Sequence, residues 1–129
     1  MPELCQRVAA LGDRVRFESS LDGRTRETAI VATAGAVKCE YELLSHIPLA
    51  FQEGVAEATV ELCKGREATA PKDEAVIVRF CRELINDHRV SDAAFDSIRS
   101  FLSEPQLVEL CVTVGYYALL SDVINVFQS

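Results

Sequence analysis

Apolar positions recur at three- and four-residue steps along most of the chain. Leu4, Val8, Leu11 and Val15 form one such stripe, and Pro2 before it suits a helix start, so a helix is predicted over 4–17. Ser19-Ser20-Leu21-Asp22-Gly23 breaks the pattern, and Asp22 is the predicted N-cap of the next helix. Residues 25–37 are rich in Ala, Ile and Val and nearly apolar after Glu27. They predict a helix buried on most sides, with Glu27 in its first turn, where a carboxylate is favourable. A third helix is expected from Val37 through His46 to about Gln52, bent or widened at Pro48 and stopped by Gly54.

The pattern continues in the second half. A short helix is predicted over Glu57–Leu62 and a strongly amphipathic one over Asp73–Asn86. Ser91 or Asp92 caps a helix through Phe95, Ile98, Phe101 and Leu102. Ser103 opens the last helix, with Pro105 in its first turn, and its apolar positions run to about Phe127. No segment sustains strict alternation between turn signals, so strands are not predicted. The expectation is a single all-α domain over residues 1–129, with six or seven helices. The second and last helices are apolar nearly all round. A domain of this size can hardly hide both, so a homo-oligomer is expected.

Charge and cysteine usage narrow the class. The net charge is −7 and no basic run exists, which argues against nucleic acid or an anionic membrane as the main partner. The N-terminus lacks a basic-then-apolar leader, and no apolar run is read as long enough to span a bilayer. Five cysteines, with no CxxC pair, suggest neither a disulfide scaffold nor a zinc ribbon, and a reducing cytoplasm is the simplest compartment. Cys5, Cys63, Cys81 and Cys111 read as small buried hydrophobes.

The chemistry concentrates in Val37-Lys38-Cys39-Glu40-Tyr41-Glu42-Leu43-Leu44-Ser45-His46. Read as helix, this stretch puts Cys39, Glu42 and His46 on one face at i, i+3 and i+7. Titratable groups on an inner face are costly unless paired, so these three mark a site. The Glu-x-x-x-His pair with Cys39 has ligand types suited to zinc or iron, but a second such pair is absent, and no metal and no cofactor are expected.

Glu27 and Cys39 stand twelve residues apart, and Cys39-x-x-Glu42-x-x-x-His46 follows. This pattern resembles the carboxymuconolactone decarboxylase family, within the alkylhydroperoxidase-D-like superfamily. Its thiol members carry a glutamate and, twelve residues later, a CxxCxxxH motif. Here Glu42 takes the second cysteine's slot. The form looks like the branch whose motif reads CEYEWxxH, with Leu43 in place of Trp. Asp73-Glu74-Ala75, Val90-Ser91-Asp92-Ala93, Gln106-Leu107-Val108-Glu109-Leu110 and Gly115-Tyr116-Tyr117 carry the likeness through the second half. Two departures stand out. The extra N-terminal segment of longer members is missing, so the site is expected to be more open or closed by a neighbouring subunit. Asp122 also stands where that branch would have a basic residue.

The resemblance implies an alkylhydroperoxidase-D-like fold, assembled as a trimer or hexamer, acting on a small molecule. It implies that Glu27, Cys39, Glu42 and His46 converge on one pocket. It also places the last helix nearby, with Tyr117 assigned to substrate contact. In the leading reading, Glu42 positions His46, which moves a proton at carbon in a decarboxylation of a small cyclic carboxylic acid, the chemistry of a carbon–carbon lyase. Arg24 or Arg26 would hold the substrate carboxylate by a bidentate pair; the competing reading for both is a solvated helix start or a structural ion pair with Glu27, and it is preferred for Arg26. The alternative is a thiol-dependent peroxidase in which Cys39 becomes a sulfenic acid. Glu42 cannot resolve it as a disulfide, and a neighbouring carboxylate disfavours a thiolate. A third reading is a non-catalytic assembly module.

Overall fold

A computed structural model describes residues 1–128, and among them there are seven helices and no strand. The helices are α1 (Pro2–Phe17), α2 (Gly23–Ala36), α3 (Glu40–Gln52), α4 (Glu57–Cys63), α5 (Lys72–Asp87), α6 (Asp92–Arg99) and α7 (Glu104–Phe127). Their ends follow local chemistry. The Asp22 side chain accepts the Thr25 N–H, and Ser91 accepts that of Ala94. Ser103 and Gln106 form a reciprocal capping box at the start of α7. Gly54 ends α3 with φ at 89°, a conformation glycine adopts without strain.

Helix α2 is the centre of the domain. It packs against α3, α4, α5 and α7, and its residues from Thr28 to Ala34 are all buried. The all-round apolar character of residues 25–37 is therefore satisfied within one chain and does not by itself require a partner. Glu27 is the fifth residue of α2, one position beyond the first turn, because the helix starts earlier than its apolar run. Its carboxylate consequently has a side-chain partner rather than the helix end.

The largest difference from the sequence reading lies between α2 and α3. A continuous helical face from Cys39 to His46 was expected, but residues 37–39 form the reversal between two helices. Lys38 adopts a left-handed φ of 58°, and the Cys39 N–H reaches back to the Ala34 carbonyl at 2.9 Å. This is the helix-ending motif usually built on glycine. Cys39 is the extended N-cap of α3, outside its helical turns, and is buried.

The outer helices also differ. On α1 the expected stripe is only half used: Val15 is buried, but Leu4 and Leu11 are exposed. Cys5 and Cys111 are exposed too, against the expectation that both are buried. Cys63 and Cys81 are buried as expected, and burial pushes each thiol up to about 12. Helix α7 has 24 residues and a window of mean hydropathy 1.6, long and apolar enough by length and composition to cross a membrane, which corrects the reading that no such run exists. One face of α7 packs on α1, α2 and α6, burying Leu110, Val114 and Tyr117. Val108, Val112, Leu119 and Val123 on α7 remain exposed.

Candidate active site

The site forms where α2, α3 and α7 meet. Glu27 projects from α2, Glu42 and His46 from α3, and Tyr117 from α7, and all four residues are buried. His46 Nδ1 lies 3.0 Å from Glu27 Oε1. A carboxylate only accepts, so Nδ1 carries the proton and donates it. The second nitrogen, Nε2, faces Glu42 Oε2 at 3.5 Å, across one turn of α3. The Tyr117 ring meets the imidazole edge-on, with centroids 5.1 Å apart, and Tyr116 packs edge-on against Tyr117 at 5.3 Å.

Glu27 is thus the closer orienting partner of His46, at a bond length typical of a charge-assisted pair. The sequence reading gave that role to Glu42, whose contact is longer. Helix geometry explains the difference. An i, i+4 pair can approach only over the surface of its own helix, whereas Glu27 comes from a facing helix and can meet the ring edge directly. Arg26 stands behind Glu27, with its Nε 3.5 Å from Glu27 Oε2 and an Nη2 3.9 Å from Glu53. Arg26 is therefore in a structural ion pair with Glu27, one of the two non-substrate roles preferred for it.

Arg24 does not face this cluster. One of its terminal nitrogens bonds Glu74 at 2.6 Å and the other bonds Asp73. Glu74 also accepts the Ala56 N–H at 3.0 Å and the Thr59 hydroxyl at 2.5 Å. The guanidinium therefore ties α2 to α5, and no N–H fork is left for a substrate carboxylate. Hydrogen bonding to Arg24 holds the Asp73 carboxyl below its usual range.

Cys39 is buried but belongs to a different cavity, of about 640 Å³, whose lining includes Lys38, Cys63, Lys64 and Arg82. The cavity beside His46, of about 290 Å³, is lined by Gly12, Arg16, Glu42, His46, Tyr116 and Tyr117 among others. The structure thus brings Glu27, Glu42, His46 and Tyr117 together and leaves Cys39 outside the hydrogen-bonded group. Among the described residues no three acidic, histidine or cysteine side chains are grouped to hold a metal ion.

Arg16 has no counterpart in the sequence reading. It lines the cavity beside His46 and a second one, of about 260 Å³, that reaches Arg26 and Glu27. The available signal was weak: a basic residue one turn after Gly12 on an amphipathic helix reads as solvated. Gly12 is what brings that face close. A Cβ there would overlap the Tyr116 hydroxyl, so α1 lies against α7 only because the position is bare.

With the geometry described, comparison with known proteins decides the family. The sequence profile of the carboxymuconolactone decarboxylase family matches residues 2–76, which hold every side chain of the Glu27–His46–Glu42 cluster. The chain belongs to the carboxymuconolactone decarboxylase family. No curated protein matches the sequence. Three solved structures share the fold. One is a protein of unknown function from Agrobacterium tumefaciens, provisionally assigned to antioxidant defence and AhpD, with TM-score 0.86, 18% identity and coverage of 100% of this chain and 90% of that one. A second is an uncharacterized peroxidase-related protein from Silicibacter sp. TM1040, with TM-score 0.81, 18% identity and coverage of 98% and 69%. The third is an alkylhydroperoxidase AhpD core, an uncharacterized peroxidase-related protein from Ralstonia eutropha JMP134, with TM-score 0.80, 19% identity and coverage of 97% and 68%. At these identities the likeness is one of fold: a carboxymuconolactone decarboxylase family member with an alkylhydroperoxidase-D-like, all-helical architecture.

Proposed function

We propose that this family member is an enzyme of proton-transfer chemistry, a decarboxylase-like carbon–carbon lyase acting on a small cyclic carboxylic acid. The observation that carries the reading is the buried His46, held at Nδ1 by Glu27 and facing Glu42 and the cavity with Nε2. Loss of carbon dioxide from a lactone acid leaves an electron pair on carbon, delocalised as an enolate. The pair must then take a proton, so that a C–C bond is exchanged for a C–H bond. A proton on Nε2, which faces Glu42 Oε2 at 3.5 Å, is placed to make that delivery, and Glu27 stabilises the imidazolium that carries it. Tyr117 closes one side of the ring and limits access by water. Burial raises the phenols of both Tyr117 and Tyr116, so they serve as packing and hydrogen-bonding groups rather than anions.

The second reading, a thiol-dependent oxidoreductase, rests on the buried Cys39 thiol at the N-cap of α3 and on the peroxidase-related names of two structural neighbours. The separate cavity of Cys39 favours the first reading. The five free cysteines fit a reducing, cytoplasmic setting, and the exposed apolar residues of α7 fit a trimer or hexamer. Carbon dioxide release from a carboxymuconolactone, run beside hydroperoxide consumption, tests the proposal. Hydroperoxide consumption alone would transfer the assignment to Cys39.

A further inference from the structure

We propose that Arg16 is the residue that seats the anionic group of the substrate at the His46 cavity, a role that rests on the proton-transfer reading above. Arg24 and Arg26 are both occupied by carboxylates. Among the described residues Arg16 makes no ion pair and no hydrogen bond, although it lines both cavities that flank the Glu27–His46 pair. Its guanidinium carbon lies 4.8 Å from the centroid of the Phe17 ring. Both side chains are exposed, and the contact leaves the N–H edge of the guanidinium free for a carboxylate. The charge of Arg16 opposes the burial that raises Tyr116 and Tyr117, so it is felt at the phenol that packs on His46.

The electrostatics of the cavity require such a cation. Asp13 and Glu42 line it, and Glu27 lies behind the imidazole. An anion entering without Arg16 would meet the Asp13 and Glu42 carboxylates and the imidazole, with Glu27 behind it already paired to Arg26. With Arg16 the carboxylate gains a bidentate partner in the same cavity as His46. A cavity of about 290 Å³ has room for a single-ring acid.

Direct binding separates this role from turnover. The probes are 2-furoate and its uncharged amide, titrated by NMR of the His46 ring signals in wild type, Arg16→Gln, Arg16→Lys and Arg89→Gln. Arg89 is exposed, and its change removes the same charge far from the chemistry in sequence. The proposal expects furoate to bind wild type and Arg89→Gln alike, roughly 10–100-fold more weakly to Arg16→Gln, and partly restored in Arg16→Lys, since a hydrogen bond to a charged group has that worth. The amide should show no dependence on Arg16. Equal furoate affinity in wild type and Arg16→Gln overturns the proposal, as does a wild type that binds furoate no better than the amide or binds neither. Arg16-dependent binding without any decarboxylation would sink the lyase reading and leave the anion seat standing. Decarboxylation with an unchanged KM in Arg16→Gln would do the reverse. Circular dichroism melts confirm that the variants fold.

Discussion

The imidazole of His46 has one nitrogen committed to Glu27 and one facing Glu42 and the cavity, and this division of labour sets the order of mutational effects. His46→Ala should lower turnover by about 10²–10⁴-fold, the usual contribution of a general acid–base group. Glu27→Ala should approach that loss, because the ring then has no fixed tautomer. Glu27→Gln should cost less, since an amide oxygen still accepts the Nδ1 proton but no longer stabilises imidazolium. Steady-state kinetics on the four proteins checks the ranking; a Glu27→Gln variant as impaired as Glu27→Ala would show that orientation is not what Glu27 supplies. Glu42 and His46 were legible in the sequence because titratable types at that spacing are unusual on an apolar helix, and Glu27 through the family resemblance. Their roles were not. Which carboxylate sits closer to the ring depends on how α2 lies against α3, and no spacing encodes that. Arg16 was illegible for the same reason: its position depends on the contact between Gly12 and Tyr116.

At the level of elements, helix starts were readable wherever a side chain makes them, as Asp22, Ser91 and Ser103 do. The reversal at residues 37–39 was not, because it uses Lys38 in a left-handed conformation where glycine would have announced it. Two elements carry predictions. Gly12→Leu must push Tyr116 away and part α1 from α7, so thermal melts should show a loss of about 1–3 kcal/mol, typical of overpacking. No change in the melting temperature would mean that the Gly12 contact is not tight in solution. The second concerns the Arg24–Asp73 link between α2 and α5. The Asp73 carboxyl is depressed in the folded state, so its contribution is fully present above the unfolded carboxylate range and is lost as pH falls through the folded value. Wild type should therefore lose stability on acidification below about pH 4, while Asp73→Asn starts lower and shows a shallower acid limb. Urea midpoints at pH 7 and at pH 3 compare the two; parallel curves would remove Asp73 from the acid response. Because Asp73 is partly exposed, solvent screening keeps the effect small.

For the molecule as a whole, the three- and four-residue spacing of apolar positions was enough to fix the all-helical class, and the domain buries α2 from Thr28 to Ala34. What it does not cover is the outer face of α7, where Val108, Val112, Leu119 and Val123 remain exposed. If that face is buried between copies, sedimentation at micromolar concentration should give the mass of a trimer or hexamer. Val112→Asp or Val123→Asp should then shift it toward monomer, and a monomeric wild type would contradict the assembly. The two enzymatic readings differ in whether the chemistry passes through the nitrogen of His46 or the sulfur of Cys39. The most direct test is the rate of carbon dioxide release from a carboxymuconolactone, measured for wild type, His46→Ala and Cys39→Ser. Turnover that survives Cys39→Ser and falls by about 10²–10⁴-fold in His46→Ala is the expected result. Turnover abolished by Cys39→Ser, with His46→Ala still active, would contradict it.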